Sequence, residues 1–280
     1  MPNKLCNILV PVDFTGKNKW AIAKAIEIAN SFDCNIHFVG IVHQTILPIL
    51  PVEASIFTPY ESHADRLNNY ERLKELAARY SHELCCNGKI EISVLEGSPE
   101  KKLAEYVRDF DMDMVIVGLS KFNLAQRIVS SIPISRLARQ TNVPVLAVGS
   151  SGLIRHFKKI ILPLHDDVSI RRIKMATMLA RTFKSTIYMV TLRRDNFAAE
   201  KIINEALQMV QSISTIPVQG IILEGKNLAK TTLDFAKKIN ADLIMINPLR
   251  EFNLPGWWNR LTNKLLSYSS RIPVITMNKQ

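Results

Sequence analysis

The stretch Ile8-Leu9-Val10-Pro11-Val12-Asp13-Phe14-Thr15 decides the fold, because its core returns as Ile160-Ile161-Leu162-Pro163. Each copy is a short, β-branched apolar run that reads as a buried strand stopped by its proline. A matching helix comes after each. Ile22, Ala25, Ala29 and Phe32 fall on one helical face, and Ile173, Ala176, Ala180 and Phe183 repeat that spacing. Apolar strands over 36–42 and 186–192 come next. Third strands then run through Ile90-Glu91-Ile92-Ser93-Val94-Leu95-Glu96-Gly97 and Val218-Gln219-Gly220-Ile221-Ile222-Leu223-Glu224-Gly225, both ending in Glu-Gly. Ser98-Pro99 and Asn227 are the residue types that start helices. Fourth strands lie at Asp113-Met114-Val115-Ile116-Val117-Gly118 and Asp242-Leu243-Ile244-Met245-Ile246-Asn247. Fifth strands lie at 142–148 and 271–277, each with an early proline that marks a sheet edge or a strand start.

Strands that are apolar throughout, alternating with amphipathic helices, require a parallel sheet covered on both faces. The expectation is an α/β protein of two repeated domains, 1–150 and 151–280, each a five-stranded parallel sheet with helices on both faces. Every half ends in a strand with an open apolar edge, so 143–148 is expected to face 272–277 across a pseudo-two-fold axis. The second copy is shorter between its second and third strands, where the first carries 43–61 with Pro48, Pro51 and Pro59. That stretch reads as a loop, either a lid or docking surface or plain surface connection.

Composition narrows the function classes. The chain has 280 residues, 47% of them hydrophobic and 22% charged, which is ordinary globular usage. No apolar run approaches the roughly 18 residues of a membrane span. The opening Met1-Pro2-Asn3-Lys4 runs into a strand without the layout of a secretory signal, so the expected location is cytoplasmic. Four cysteines, at 6, 34, 85 and 86, show no zinc-site spacing. The net charge of +11 is carried wholly by the second half: 16 basic and 16 acidic residues in 1–150, against 20 and 9 in 151–280. Those cations are scattered singly and in pairs without interleaved aromatics. They read as a solvated basic face, and nucleic acid is not expected as a partner.

Catalytic patterns are missing from the sequence. Its six histidines form no H-E-x-x-H pair, no G-x-S-x-G elbow presents a serine, and no G-x-x-x-x-G-K-[ST] loop is present. Asp13 alone, at a strand end, is a weak basis for general-base chemistry. The enzyme question therefore leans towards a protein without catalysis.

Taken together, Ile-Leu-Val-Pro-Val-Asp-Phe-Thr, Glu96-Gly97-Ser98-Pro99, the Asp113–Gly118 run and Asn142-Val143-Pro144-Val145 resemble the universal stress protein family in its tandem form. The resemblance implies a Rossmann-like, adenine nucleotide alpha hydrolase-like fold and dimerisation through the last strand. It also implies members that bind ATP and members that do not. In the binding members an aspartate after the first strand contacts the nucleoside and a residue at the end of the second meets adenine. A loop G-x-x-G-x9-G-[ST] after the fourth strand holds the phosphates. By that resemblance the candidate ligand-binding residues are Asp13, Ile41, Gly118, Lys121, Ser130 and Ser131.

The loop departs from the pattern. Lys121 stands at the second glycine, Ser131 at the third and Ile132 at the hydroxyl position, where glycine would let backbone approach phosphate without a Cβ. Lys121 and Arg127 offer charge, and Ser130 or Ser131 a hydroxyl. The second copy has His165 in place of the aspartate, Asn247-Pro248 in place of the first glycine and Trp257-Trp258 within the loop. The expectation is a stress-response protein that binds an unknown protein partner or small ligand, with no cofactor required. The competing reading is a nucleotide switch holding ATP or another adenine compound in the first domain through Asp13. A homodimer of tandem chains stays open at this point, and no membrane partner is expected.

Overall fold

The computed structural model describes residues 5–14, 16, 18–42, 59–119, 134–149, 156–165, 168–193, 198–247 and 272–278. Its first half contains β1 (Asn7–Val12), α1 (Asn18–Phe32), β2 (Asn35–Val42), α2 (Pro59–Ser81), β3 (Ile90–Glu96), α3 (Pro99–Asp109), β4 (Met114–Gly118), α4 (Ile134–Thr141) and β5 (Val145–Val148). Its second half contains β6 (Lys159–Pro163), α5 (Ile170–Phe183), β7 (Thr186–Leu192), α6 (Ala198–Ile213), β8 (Val218–Leu223), α7 (Leu228–Lys238), β9 (Leu243–Ile246) and β10 (Val274–Thr276). The helix expected between β9 and β10 lies outside the described residues, as does most of the 43–61 stretch. The last residues of that stretch are not loop, since α2 already begins at Pro59.

The ten strands of the described residues join one sheet in the order β3-β2-β1-β4-β5-β10-β9-β6-β7-β8. Each half thus has the same order, and every neighbouring pair is parallel except β5 and β10 at the centre. Those two run antiparallel with Val274 opposite Ala147, Ile275 opposite Leu146 and Thr276 opposite Val145, as the apolar edges demand. Both begin just after their prolines, Pro144 and Pro273, and they occupy the middle of the sheet, not its edge.

Successive strand residues point to opposite faces, so each apolar strand serves two cores. Ile8 and Val10 of β1 join Ile22, Ala25 and Ala29 of α1 and Leu73 of α2 on one face. Leu9 turns the other way, to Leu103, Tyr106 and Val107 of α3 and Leu137 of α4. In the second half α5 and α6 share the first face, while α7 covers Ile161, Val190 and Ile244 on the other. Asn227 caps α7 by accepting from the Lys230 amide at 3.0 Å. Ser98 precedes α3 in extended conformation without a side-chain cap bond, so Pro99 at the first helical position carries that start. Gly97, at φ 118°, occupies backbone space that favours glycine, which accounts for the Glu-Gly ending of that strand.

Pro11 departs from the expectation, because it does not stop β1, which runs on to Val12 beside Val39 and Gly40 of β2. What ends at the proline is the pairing with β4, confined to Ile8 with Met114 and Leu9 with Val115. Proline has no N–H to extend a ladder on that side. In the second half β6 does end at Pro163, and its pairing with β9 is likewise confined to Ile160 with Leu243 and Ile161 with Ile244.

Near the amino end of the sheet a buried polar group joins three elements. His37 of β2, 4% exposed, places Nδ1 3.0 Å from the Tyr106 hydroxyl of α3, which lies 3.1 Å from Ser93 Oγ on β3. Burial lowers the His37 pKa, with Glu91 at 3.7 Å partly opposing it, and burial raises that of Tyr106. Phe110 stacks on Tyr106 at 4.3 Å and closes the cluster.

The halves also meet above the sheet. Phe32 and Phe183, the same position in the two repeats, approach edge to face at 6.0 Å, and Phe157 meets Phe183 at 5.3 Å. The neighbouring repeat positions differ. Lys24 of α1, 0% exposed, pairs with Glu27 and lies 4.9 Å from the Phe157 ring centroid, and Glu27 reaches His156 at 3.0 Å. Their counterparts on α5 are Met175 and Met178. Arg171 forks onto Asn142, donating to its side-chain and backbone oxygens at 2.9 Å each.

Because folding keeps His37 neutral, the unfolded chain binds the extra proton as pH falls below about 6.5, so stability present above that pH declines below it. Urea unfolding between about pH 5.5 and 7.5 should show this decline, and His37→Gln should flatten it. Phe183→Ala should cost about 3–5 kcal/mol by the same assay. Combined with Phe32→Ala, it should cost less than the sum of the single changes by about 0.5–1.5 kcal/mol.

Candidate functional site

The pairing of β1 with β4 stops short of the carboxyl ends of the strands, at the point where the strand order reverses, and open α/β sheets bind ligands in a crevice at such a point. Val12 is level with Gly40, so Asp13 leaves β1 beside Ile41 of β2. Counting on from Leu9 opposite Val115 brings Val12 level with Gly118, the last residue of β4, which itself pairs with Val148. The fold therefore brings Asp13, Ile41 and Gly118 to one edge. Asp13 is half-buried and already engaged in an interaction. The Ile41 side chain packs with the cluster under α3 and α4. Lys121, Ser130 and Ser131, together with Arg127, lie outside the described residues.

The corresponding edge of the second half is built differently. Leu164 continues from β6 with its amide donating to the Val190 carbonyl at 2.7 Å, and His165 comes next. Asn247 stands just past β9, with its Oδ1 buried and without a hydrogen-bond partner. The buried Arg172, in the first turn of α5, donates to the Met245 carbonyl at 3.4 Å. Asp166, Asp167, Pro248 and the Trp257-Trp258 pair lie outside the described residues.

A second concavity is not legible in the sequence. It lies between α1 and α2, has a volume of about 310 Å³, and is lined by Phe14, Asn18, Lys19, Arg72, Glu75 and Arg79 among others. The Arg72 guanidinium stacks 3.9 Å from the centroid of Phe14, whose backbone has φ 56°. The available signal is the spacing of Arg72, Glu75 and Arg79 along one side of α2, but nothing in that spacing says which part of α1 it meets. Among the described residues no three His, Cys, Asp or Glu gather as a metal site, and no helix is long and apolar enough to cross a membrane.

The same architecture occurs in known structures. A universal stress protein from Archaeoglobus fulgidus superposes with a TM-score of 0.72, covering 98% of each chain at 16% identity. A functionally unknown protein from Pseudomonas aeruginosa superposes at 0.60, with 16% identity over 99% of this chain and 93% of its own. At those identities the likeness concerns the fold. By sequence, a universal stress protein of Methanocaldococcus jannaschii is 24% identical over 146 residues, half of this chain and 80% of the relative. The model of the universal stress protein family matches residues 6–149, which take in β1 through β5 and the crevice edge bearing Asp13, Ile41 and Gly118. The chain belongs to the universal stress protein family.

Proposed function

We infer that this is a stress-response protein of two universal stress protein domains, 1–150 and 151–280, that acts by binding a partner or small ligand without catalysis of its own. What supports this reading is the sequence of the two loops, in which the glycines of the phosphate loop that the chain resembles are replaced. In the first, Lys121 and Ser131 replace glycines; in the second, Asn247-Pro248 removes both a glycine and an amide donor. Phosphates held by side chains are less preorganised than phosphates in a backbone nest, so affinity falls.

A second reading, the nucleotide switch, is favoured by one observation. Asp13, Ile41 and Gly118 stand together at the edge where β1 and β4 part, the setting in which a nucleoside would lie across the sheet. ATP or another adenine compound would then occupy the first domain alone, with Lys121, Ser130 and Ser131 as the residues near its phosphates.

Calorimetry of the full chain with ATP, repeated on Asp13→Ala, separates the two. Binding weaker than micromolar, with none at a second site, is the expected result. Micromolar binding at one site, abolished by Asp13→Ala, would establish the switch, and micromolar binding at two sites would refute both readings of the second domain. The basic second half should bind nucleic acid only weakly, so an affinity tighter than about 10⁻⁶ M at roughly 150 mM salt would overturn the solvated-face reading.

A further inference from the structure

We propose that the concavity between α1 and α2 is a binding site for a phosphate monoester with an apolar body, separate from the strand-end crevice. Its shape sets it apart from the second half. There the equivalent helices α5 and α6 pack directly on each other, whereas α1 and α2 make little mutual contact and leave about 310 Å³ between them. That volume is at the small end of ligand sites, which run from about 300 to 1,000 Å³.

Its charge suits an anion. Lys19, Arg72 and Arg79 line the space against a single carboxylate, Glu75, so its wall favours a dianion. Arg72 is already oriented by stacking on Phe14, which lowers the cost of fixing its fork on a phosphate. Ile22, Leu76 and Tyr80 supply the apolar side.

An unsatisfied donor points to the same ligand. Asn18, in the first turn of α1, is only 6% exposed and lines the concavity, and its Nδ2 has no hydrogen-bond partner. A buried amide nitrogen left unpaired is costly, and a turn of the Asn18 side chain towards the concavity would let a phosphate oxygen satisfy it. The same oxygen would meet the partial positive charge at the start of a 15-residue helix. This site does not depend on the crevice reading, because Ile41 packs on the opposite face of the sheet from α1 and α2.

The test uses phenyl phosphate, with inorganic phosphate as comparison, titrated calorimetrically into the full chain. Phenyl phosphate should saturate one site and bind more tightly than inorganic phosphate. Arg72→Gln and Arg79→Gln, both exposed helix positions that leave the core untouched, should each weaken it by roughly tenfold. Glu75→Gln should tighten binding by removing the opposing charge. Asn18→Asp, which a helix start accepts, should abolish it by replacing the donor with a carboxylate. Asp13→Ala should leave it unchanged, which keeps this result independent of any ATP measurement. The absence of saturation at about 10 mM, far above the affinity a built site provides, would overturn the proposal. So would binding that is lost in Asp13→Ala yet kept in both arginine variants, which would assign the ester to the crevice.

Discussion

An apolar parallel sheet cannot end in water. β5 closes the first half with Val145, Leu146, Ala147 and Val148 all buried, and β10 does the same for the second with only three residues. Each strand has one paired side and one side of unsatisfied backbone groups, and each relieves the other by antiparallel pairing. The rest of the architecture depends on this single joint. It makes ten strands into one sheet, leaves β3 and β8 as the outer edges, and brings α1 and α5 over the join, where Phe32 and Phe183 meet. The joint also uses up the last strand of each half. Association of two whole chains would have to employ some other surface.

The same repeat that builds the sheet shows where the halves have diverged. Core positions are kept: Ile22 with Ile173, Ala25 with Ala176, Phe32 with Phe183, all buried. Packing density explains this, since a core position tolerates little change in volume. The strand ends are under no such constraint. There the proline that ends the β1–β4 pairing has a counterpart in Pro163, but the residues beyond it differ, with Asp13 in one half and His165 in the other. The early parting of the strands is thus shared, and the residues that follow it are not.

This divide also sets what the sequence discloses. Strand and helix identities are legible because hydrophobic period reports burial directly, and the joint between 143–148 and 272–277 comes from a count of open edges. Pro11 misleads because a proline removes one donor without ending the strand, and which neighbour loses the donor is a matter of sheet order. The His37, Tyr106 and Ser93 cluster and the space between α1 and α2 are not legible at all. Each joins residues from separate elements whose angular relation is decided by packing and carries no local signature. Asn18 looks like any helix-start asparagine until its Nδ2 is found without a partner.

At the seam between α1 and α5 the two halves are no longer interchangeable. Lys24 and Glu27 on one side stand where Met175 and Met178 stand on the other, although the surrounding phenylalanines are alike. A lysine sealed from solvent requires the carboxylate and the aromatic ring that this chain provides, and the ring, Phe157, belongs to the other half. Were two first halves to pair, each would bring its own Lys24 to the seam without Phe157 to receive it. The seam is therefore built from unlike contributions, a lysine and a glutamate from one half and an aromatic ring from the other, which two identical halves would not supply.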